Sequence, residues 1–537
     1  MDVIHKGDGD LKVTPNLVDY AQTRASFRWS DVPDLCAGMG QGGCNIAYAA
    51  VDRHAEGPDA DRTALRFIAD TPDSPGLTTH DISYAELGRL SRRFTNVLRG
   101  LGIGKGDRVF VIMGRVPPEL YTTMLGALRN GSVVSPLFSA FGPPEPIATR
   151  VNIGSADVLV TTAAIYKRKI AKIRGGELTS VKHVLVVGDD IEGTENFHRL
   201  MDAAGDNAPI EHTTADDPSL LHFTSGTTGT PKGAQHVHGA VAMHYITGRY
   251  ALDLHAGDIY WCTADPGWVT GTSYGIIAPP LLHGVTSIID EAEFDAQRWY
   301  RILQDEQVTV WYTAPTAIRM LIKAGPELPA QYHFPHLRFI ASVGEPLNAE
   351  AVWWGGKRVL GLPIHDNWWQ TETGGIMVAN TPPAFDIKPG SMGRALPGVD
   401  ACVVHRDDSG AVTVIDEPDV EGELALRVGW PSMFRAYLNQ DERYRNSFCR
   451  RPVPVGRSGQ AGRRRISLVR RTGRRRHQIV GGASDRTLRG RERADRSSRG
   501  RRGRGDRQAR PPPTANWSRR SSRSRRDIPR ATSCVAT

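Results

Sequence analysis

Phe223-Thr-Ser-Gly-Thr-Thr-Gly-Thr-Pro-Lys-Gly233 is the stretch from which the rest of the chain is best read. Three glycines (Gly226, Gly229, Gly233) alternate with five hydroxyl residues (Thr224, Ser225, Thr227, Thr228, Thr230), and Lys232 closes the run. Glycine lets a backbone turn tightly and approach a ligand closely. Successive N–H groups can then face one concavity, and hydroxyls add donors, an arrangement suited to phosphate oxygens. Leu220-Leu-His-Phe223 before the run reads as a strand, so the loop leaves a strand end. The pattern GxxxxGK[ST] shares this logic but fails, because Gly233 follows Lys232 where Ser or Thr is required. A flexible linker is the bland alternative, which the interleaved hydroxyls and terminal lysine speak against.

Moving upstream, Asn45–His54 has a helical look and Thr63–Ile68 a strand pattern. Ser83 is a candidate N-cap for a helix with apolar positions at Leu87, Leu90, Phe94, Val97 and Leu98, ended by Gly102, Gly104 and Gly106. Arg108–Met113 reads as a buried strand, Glu119–Leu128 as a helix, and Gly131–Leu137 as the next strand. The rhythm continues through strands at 157–160, 183–187, 286–289, 308–312 and 337–341. Alternating strands and helices imply parallel sheets flanked by helices, with ligands outside the carboxyl ends of the strands. The expected fold is α/β: a large core over residues 1–384 and a small β-rich subdomain over 385–448. An Arg-rich tail over 449–537 lacks apolar periodicity and is expected to be disordered.

Charge separates the tail from the body. The 537 residues carry a net +9. After Phe448 there are 28 arginines, no lysine and five acidic residues, a net +23, so the first 448 residues carry −14. The 40% hydrophobic content supports a large core. No apolar run reaches the roughly 18 residues that a transmembrane helix needs. The polar start has no apolar signal core, and the six cysteines lack metal-ligand pairing. These features lead us to expect a reduced, cytoplasmic protein. Cys262 reads as a buried structural thiol rather than a nucleophile.

The glycine loop resembles the phosphate loop of acyl-adenylate-forming enzymes, whose pattern is [ST]SG[ST]TGxPKG. Four further stretches resemble the acetyl-CoA synthetase branch of that family, in its order. They are Asp265-Pro-Gly-Trp-Val-Thr-Gly-Thr-Ser-Tyr-Gly275, Ser342–Glu350, Asp366-Asn-Trp-Trp-Gln-Thr-Glu-Thr-Gly-Gly375 and Lys388–Arg394. The resemblance covers about residues 25 to 448. It implies ATP contacts at Thr224, Ser225, Gly226, Thr227, Thr228, Gly229 and Lys232, and at the purine turn Gly344, Glu345, Pro346. Asp366, Asn367, Trp368, Trp369, Gln370 and Thr371 complete that set. Catalytic roles fall on Lys232, Thr371 and Glu372, with Glu372 holding Mg2+. Val269, Thr270, Val343 and Trp369 form the acyl pocket, and Thr270 also faces CoA. The implied activity is an AMP-forming acetate–CoA ligase using ATP, Mg2+ and CoA as substrate, with propionate or another short-chain acid as the alternative. No specific nucleic-acid or membrane partner is implied. Oligomeric state is left open.

The physics agrees with those roles. A carboxylate and ATP repel each other, so cations and N–H donors must surround the phosphates. Thr371 can hydrogen-bond oxygen as negative charge develops. A bulky indole at Trp369 leaves room for one or two carbons. Taken alone, each of these groups has a blander reading: a solvated carboxylate, an ordinary turn, a pair of core tryptophans.

The tail departs from the family pattern, which continues with a Tyr-x-Ser-Gly-Asp motif and a small C-terminal domain carrying the adenylation lysine. Shifting the frame by one base from Cys449 restores both. Arg450–Val453 can encode Asp-Gly-Leu-Tyr, and Pro454–Arg457 can encode Leu-Ser-Gly-Asp. Leu468–Val480 can encode WFVGRADDVIKSS, and Ala483–Pro511 can encode HLIGPFEVESALIDHPAVAEAAVIGKPDP. After a second one-base slip, Asn516–Ser524 yields ELVKAFVAL. The chain therefore reads as carrying an extra nucleotide after codon 448, by mutation or sequencing error. Arg457 stands where the family's ribose-binding aspartate belongs, so the expected ligase is crippled. A nucleic-acid-binding arm and a solvated linker are the remaining alternatives for a tail so rich in arginine.

Overall fold

The computed structural model describes residues 3–5, 11–69, 71, 76–142, 144–224, 230–282, 284–381, 386–407, 412–415, 417, 420–448 and 466–468. Ser225, Gly226, Thr227, Thr228 and Gly229 lie outside them, as does almost all of the tail for which disorder was expected. Two large sheets organise the rest. One has nine strands, in the order 394–395, 378–379, 364–368, 339–342, 310–313, 259–262, 286–290, 63–68, 79–83. Its six central strands run parallel, and the three at its edges are antiparallel. The other has eight strands, in the order 436–437, 232–237, 218–224, 133–136, 108–112, 158–162, 183–187, 195–196.

Side-chain alternation explains why these strands read as continuous apolar runs. In Arg108–Ile112, Val109 and Val111 enter one core while Phe110 and Ile112 enter another on the opposite face. In the other sheet Tyr260, Val310 and Tyr312 point one way, and Trp261 and Trp311 the other. Both faces of each sheet are therefore covered, as parallel strands require. The core shared by the two sheets also takes in Leu87, Phe94 and Leu98 of the helix Tyr84–Gly100 and Met124 of the helix Glu119–Arg129. Ser83 caps the first helix, its hydroxyl accepting from the Glu86 N–H at 3.2 Å. The helices touch where Gly126 meets Phe94, and an added Cβ there would lie 2.8 Å from Phe94 Cβ.

The β-rich stretch after 385 is divided in its allegiance. Val412–Ile415, Ala401–Arg406, Glu423–Arg427 and Ile466–Leu468 form a separate antiparallel sheet. Arg394–Ala395 and Ala436–Tyr437 instead extend the two large sheets. The strand at 466–468 shows that three residues of the tail pair with the body.

Two buried histidines beside the shared core make stability depend on pH. Burial holds His222 and His238 down to about 3. His238 Nδ1 accepts from the Ile46 N–H at 3.1 Å, so protonating it breaks that bond. Both rings are neutral in the fold, whereas the unfolded chain takes up protons near pH 6.5. Their contribution is thus intact above 6.5 and is lost as pH falls from 6.5 towards 3, at up to about 1.4 kcal/mol per pH unit for each ring. Urea unfolding at stepped pH should show that fall, and His238→Gln, which keeps an acceptor, should flatten it by one proton. A slope unchanged by the substitution contradicts the assignment.

Candidate active site

A cavity of about 1210 Å3 opens at the carboxyl ends of parallel strands from both sheets. Residues 113–116 and 138–142 reach it from the eight-stranded sheet; residues 263–270, 291–293, 313–314, 343–345 and 369–371 reach it from the nine-stranded one. This is where a doubly wound fold places ligands.

One wall is aromatic and held rigidly. Trp369 is buried, and its Nε1–H donates to Tyr312 Oη at 3.2 Å; that hydroxyl in turn donates to Asn367 Oδ1 at 3.1 Å. Tyr274 meets the indole edge to face at 5.1 Å and bonds Thr247 Oγ1 at 2.7 Å. With its N–H and its edges engaged, the indole cannot swing aside. Val269, Thr270 and Val343 line the same cavity. The segment carrying Val269 and Thr270 needs its glycines for close backbone approach: a Cβ on Gly267 would meet Phe138 N at 2.3 Å, and one on Gly271 would meet Asp265 O at 2.2 Å.

The other wall carries cations. Arg115 donates to the carbonyls of Asp290 (2.9 Å) and Thr263 (3.2 Å), and Lys169 donates to that of Ser139 (2.9 Å). Arg168 also lines the space. Burial lowers Lys169 from its ordinary range. None of these three cations was picked out in the sequence reading, because an isolated Arg or Lys has no local signature.

Thr371 and Glu372 sit on a one-turn helix, Thr371–Thr373, that follows the strand Ile364–Trp368. The Gln370 N–H bonds Thr373 Oγ1 at 3.0 Å, and Gly374 ends the turn at φ 68°. Its carbonyls are taken up from elsewhere in the chain. Thr373 O accepts from Trp430 Nε1 (2.8 Å) and Ser432 Oγ (2.6 Å). Gly374 O accepts from His244 Nε2 (2.8 Å), and Glu372 O from the Phe434 N–H (3.1 Å).

The glycine loop itself joins two antiparallel strands, Pro218–Thr224 and Lys232–Val237, with Thr224 opposite Lys232. Lys232 Nζ lies 5.3 Å from the ring centroid of Tyr437, whose hydroxyl donates to Glu372 Oε1 at 2.5 Å. Burial first, then the Glu372 charge, pushes the Tyr437 phenol well above its usual range, so it keeps its proton as donor.

The remaining sequence-predicted residues fall into four groups. Gly344, Glu345 and Gln370 line the cavity, Gly344 at φ 102° and Glu345 paired with Arg319 at 2.5 Å. Thr224, Lys232, Glu372 and Pro346 stand outside its lining. Asp366 and Asn367 are buried in the strand beneath it, where burial holds the Asp366 carboxyl well above the carboxylate range. Trp368 packs against the main core. Burial also pushes the Cys262 thiol up to about 11, which suits a structural thiol.

Comparison with known proteins agrees with this architecture. Residues 51–438 match the AMP-binding enzyme family, and the chain belongs to that family of acid–thiol ligases. Its relatives include the acetyl-coenzyme A synthetase of Bacillus subtilis (strain 168), 43% identical over 437 residues, or 81% of this chain and 73% of that protein. The acetyl-coenzyme A synthetase of Methanothrix thermoacetophila is 38% identical over 428 residues, 76% of this chain and 63% of that one. The chain thus matches about two thirds of the length of these relatives. A crystal structure of a Brucella canis acyl-CoA synthetase aligns with TM-score 0.71 and 32% identity, covering 85% of this chain and 80% of that one. Among the described residues no helix is long and apolar enough to cross a membrane.

Gly374 tests the clamp on the turn Thr371–Thr373. A Cβ there would lie 2.3 Å from Ser432 O, on a backbone of positive φ. Gly374→Ala should cost about 1–3 kcal/mol of stability and weaken ATP binding, read by thermal unfolding and nucleotide titration. Unchanged values for both would show that the turn is not clamped.

Proposed function

We propose that this chain descends from an AMP-forming acetate–CoA ligase. In the intact reaction, acetate attacks the α-phosphate of ATP to give acetyl-adenylate and diphosphate, and CoA thiolate then displaces AMP to give acetyl-CoA. The observation that carries the acetate reading is Trp369, locked by Tyr312 and Tyr274 at the cavity wall beside the Thr371–Glu372 turn. A fixed indole there excludes long acyl chains, so acetate fits first and propionate second. Lys232 supplies positive charge to the phosphates, and the Thr371 hydroxyl donates to oxygen at the reacting phosphorus or acyl carbon. Thr270 faces the CoA side, and the cationic wall of Arg115, Arg168 and Lys169 suits a phosphorylated substrate.

The donors present fit Mg2+. That ion uses one or two carboxylates plus substrate phosphates and water rather than an all-protein cage. Glu372 offers a hard carboxylate, and among the described residues no group of three or more His, Cys, Asp or Glu could hold a metal alone. When bound, Mg2+ would neutralise phosphate charge; Glu372 would be its protein ligand. The compartment this chemistry suits is the cytoplasm. The purine would lie on the Gly344–Pro346 turn, with the phosphates towards the Ser225–Gly229 loop.

We further infer that the chain as written turns over little or not at all. The family match ends at residue 438, and the hidden-frame peptides resume family-like sequence after 448. The ribose aspartate, the hinge arginine and the adenylation lysine all belong to that other frame. Acetate-dependent diphosphate release should be near background for this chain and restored when both slips are corrected, the extra base after codon 448 and the second slip between codons 511 and 516; equal rates for the two would sink the proposal. In the restored enzyme, Trp369→Gly should shift kcat/KM from acetate towards four- to six-carbon acids by at least tenfold, since each added methylene buried is worth about 0.8 kcal/mol. Retained acetate preference would favour a different acyl wall.

A further inference from the structure

Tyr437 connects two groups that the chain delivers from different sheets, and nothing in the reaction so far uses it. It lies on the short strand Ala436–Tyr437, which pairs with the return strand of the glycine loop: Tyr437 faces Ala234, and Ala436 faces Gln235. The side chain is 4% exposed and packed by Phe434 at 4.9 Å. Its ring lies under the Lys232 ammonium at 5.3 Å, and its hydroxyl holds Glu372 Oε1 at 2.5 Å. Among the described residues no other side chain bonds the Glu372 carboxylate. A cation over a tyrosine face is held by the ring quadrupole, and a charged acceptor makes the hydroxyl bond a strong one.

We propose that Tyr437 is the positioning residue of the phosphate site, its hydroxyl orienting Glu372 and its ring orienting Lys232. This rests on the assignment of Glu372 as the Mg2+ ligand and Lys232 as the phosphate cation. The geometry has a division of labour. One Glu372 oxygen is taken by the phenol, which fixes the carboxylate plane and leaves the second oxygen for the cation. The ring supports Lys232 independently of that bond. Removing the hydroxyl should therefore affect only what depends on Mg2+, whereas removing the ring should affect phosphate binding with or without the ion.

The test is calorimetric titration of the full chain with ATP, once in excess Mg2+ and once in EDTA, with the thermal midpoint as a check on folding. Tyr437→Phe keeps the ring and should weaken Mg2+–ATP binding on the order of tenfold and leave the affinity in EDTA unchanged, while the lost bond lowers the midpoint by a few degrees without unfolding the chain at the titration temperature. Tyr437→Leu removes the ring as well and should also weaken binding in EDTA by about threefold to tenfold. Glu372→Gln should abolish the gain from Mg2+, and adding Tyr437→Phe to it should have no further effect, since the two act through one contact. If Tyr437→Phe weakens binding equally in both buffers, or in neither, the positioning role is overturned. If Glu372→Gln keeps the full Mg2+ gain, the metal assignment fails instead and takes this proposal with it. Loss in Glu372→Gln with no loss in Tyr437→Phe overturns the role of Tyr437 alone.

Discussion

The turn Thr371–Gly374 must bring Thr371 to the cavity and Glu372 to Tyr437 while burying its own carbonyls, and most of the site depends on how that conflict is met. A buried carbonyl without a donor costs about as much as a lost hydrogen bond. Here the donors come from Trp430, Ser432, Phe434 and His244, all distant in sequence from the turn. The segment around 430–437 is thereby tied to the carboxyl end of the nine-stranded sheet. Through Ala436–Tyr437 it is also tied to the eight-stranded sheet that carries the glycine loop. These hydrogen bonds and the pairing of Ala436–Tyr437 thus link the turn of Glu372 to the strand of Lys232. They also explain Gly374, since a side chain there would collide with Ser432.

The wall proposed to face the acyl group obeys a different constraint. An indole defines a substrate's length only if it cannot rotate, and a lone Trp at a cavity wall can. Trp369 has its N–H held by Tyr312 and one edge against Tyr274, and both tyrosines are themselves hydrogen-bonded and fully buried. The rigidity therefore comes from a chain of contacts reaching to Thr247, well outside the cavity lining. Volume alone would not provide it.

What could be read from the amino-acid sequence followed from local chemistry. Helix and strand positions were legible where periodicity is strong, as at Leu87, Phe94 and Leu98, or in the two-faced run Arg108–Ile112. The site turn was legible because Thr371-Glu-Thr-Gly374 is contiguous. Tyr312, Trp430, Ser432 and Tyr437 were not, since the role of each exists only through contacts with residues 55 to 65 positions away. Arg115 and Arg168 escaped notice for the same reason. Conversely, Asp366 and Asn367 are adjacent in sequence to the site but buried in the strand beneath it, so nearness in sequence overstated their place at the surface of the cavity.

The hairpin geometry of the glycine loop carries a final consequence. A phosphate loop that leads into a helix receives both N–H donors and a favourable dipole from the helix N-terminus. This loop returns instead into an antiparallel strand, whose dipoles largely cancel. On the proposed assignment, positive charge at the phosphates must then come from side chains, and Lys232 is the one that the loop itself supplies. Holding that flexible ammonium in place requires an external support, which the Tyr437 ring provides. If the reading frame changes after codon 448 as proposed, Tyr437 and the helix Asp441–Arg445 lie before the break, and the groups that would close over ATP from the opposite side would be encoded beyond it. On that proposal, a loop that relies on side-chain charge rather than a helix dipole has no substitute for them, and nucleotide binding without adenylate formation is the behaviour it implies.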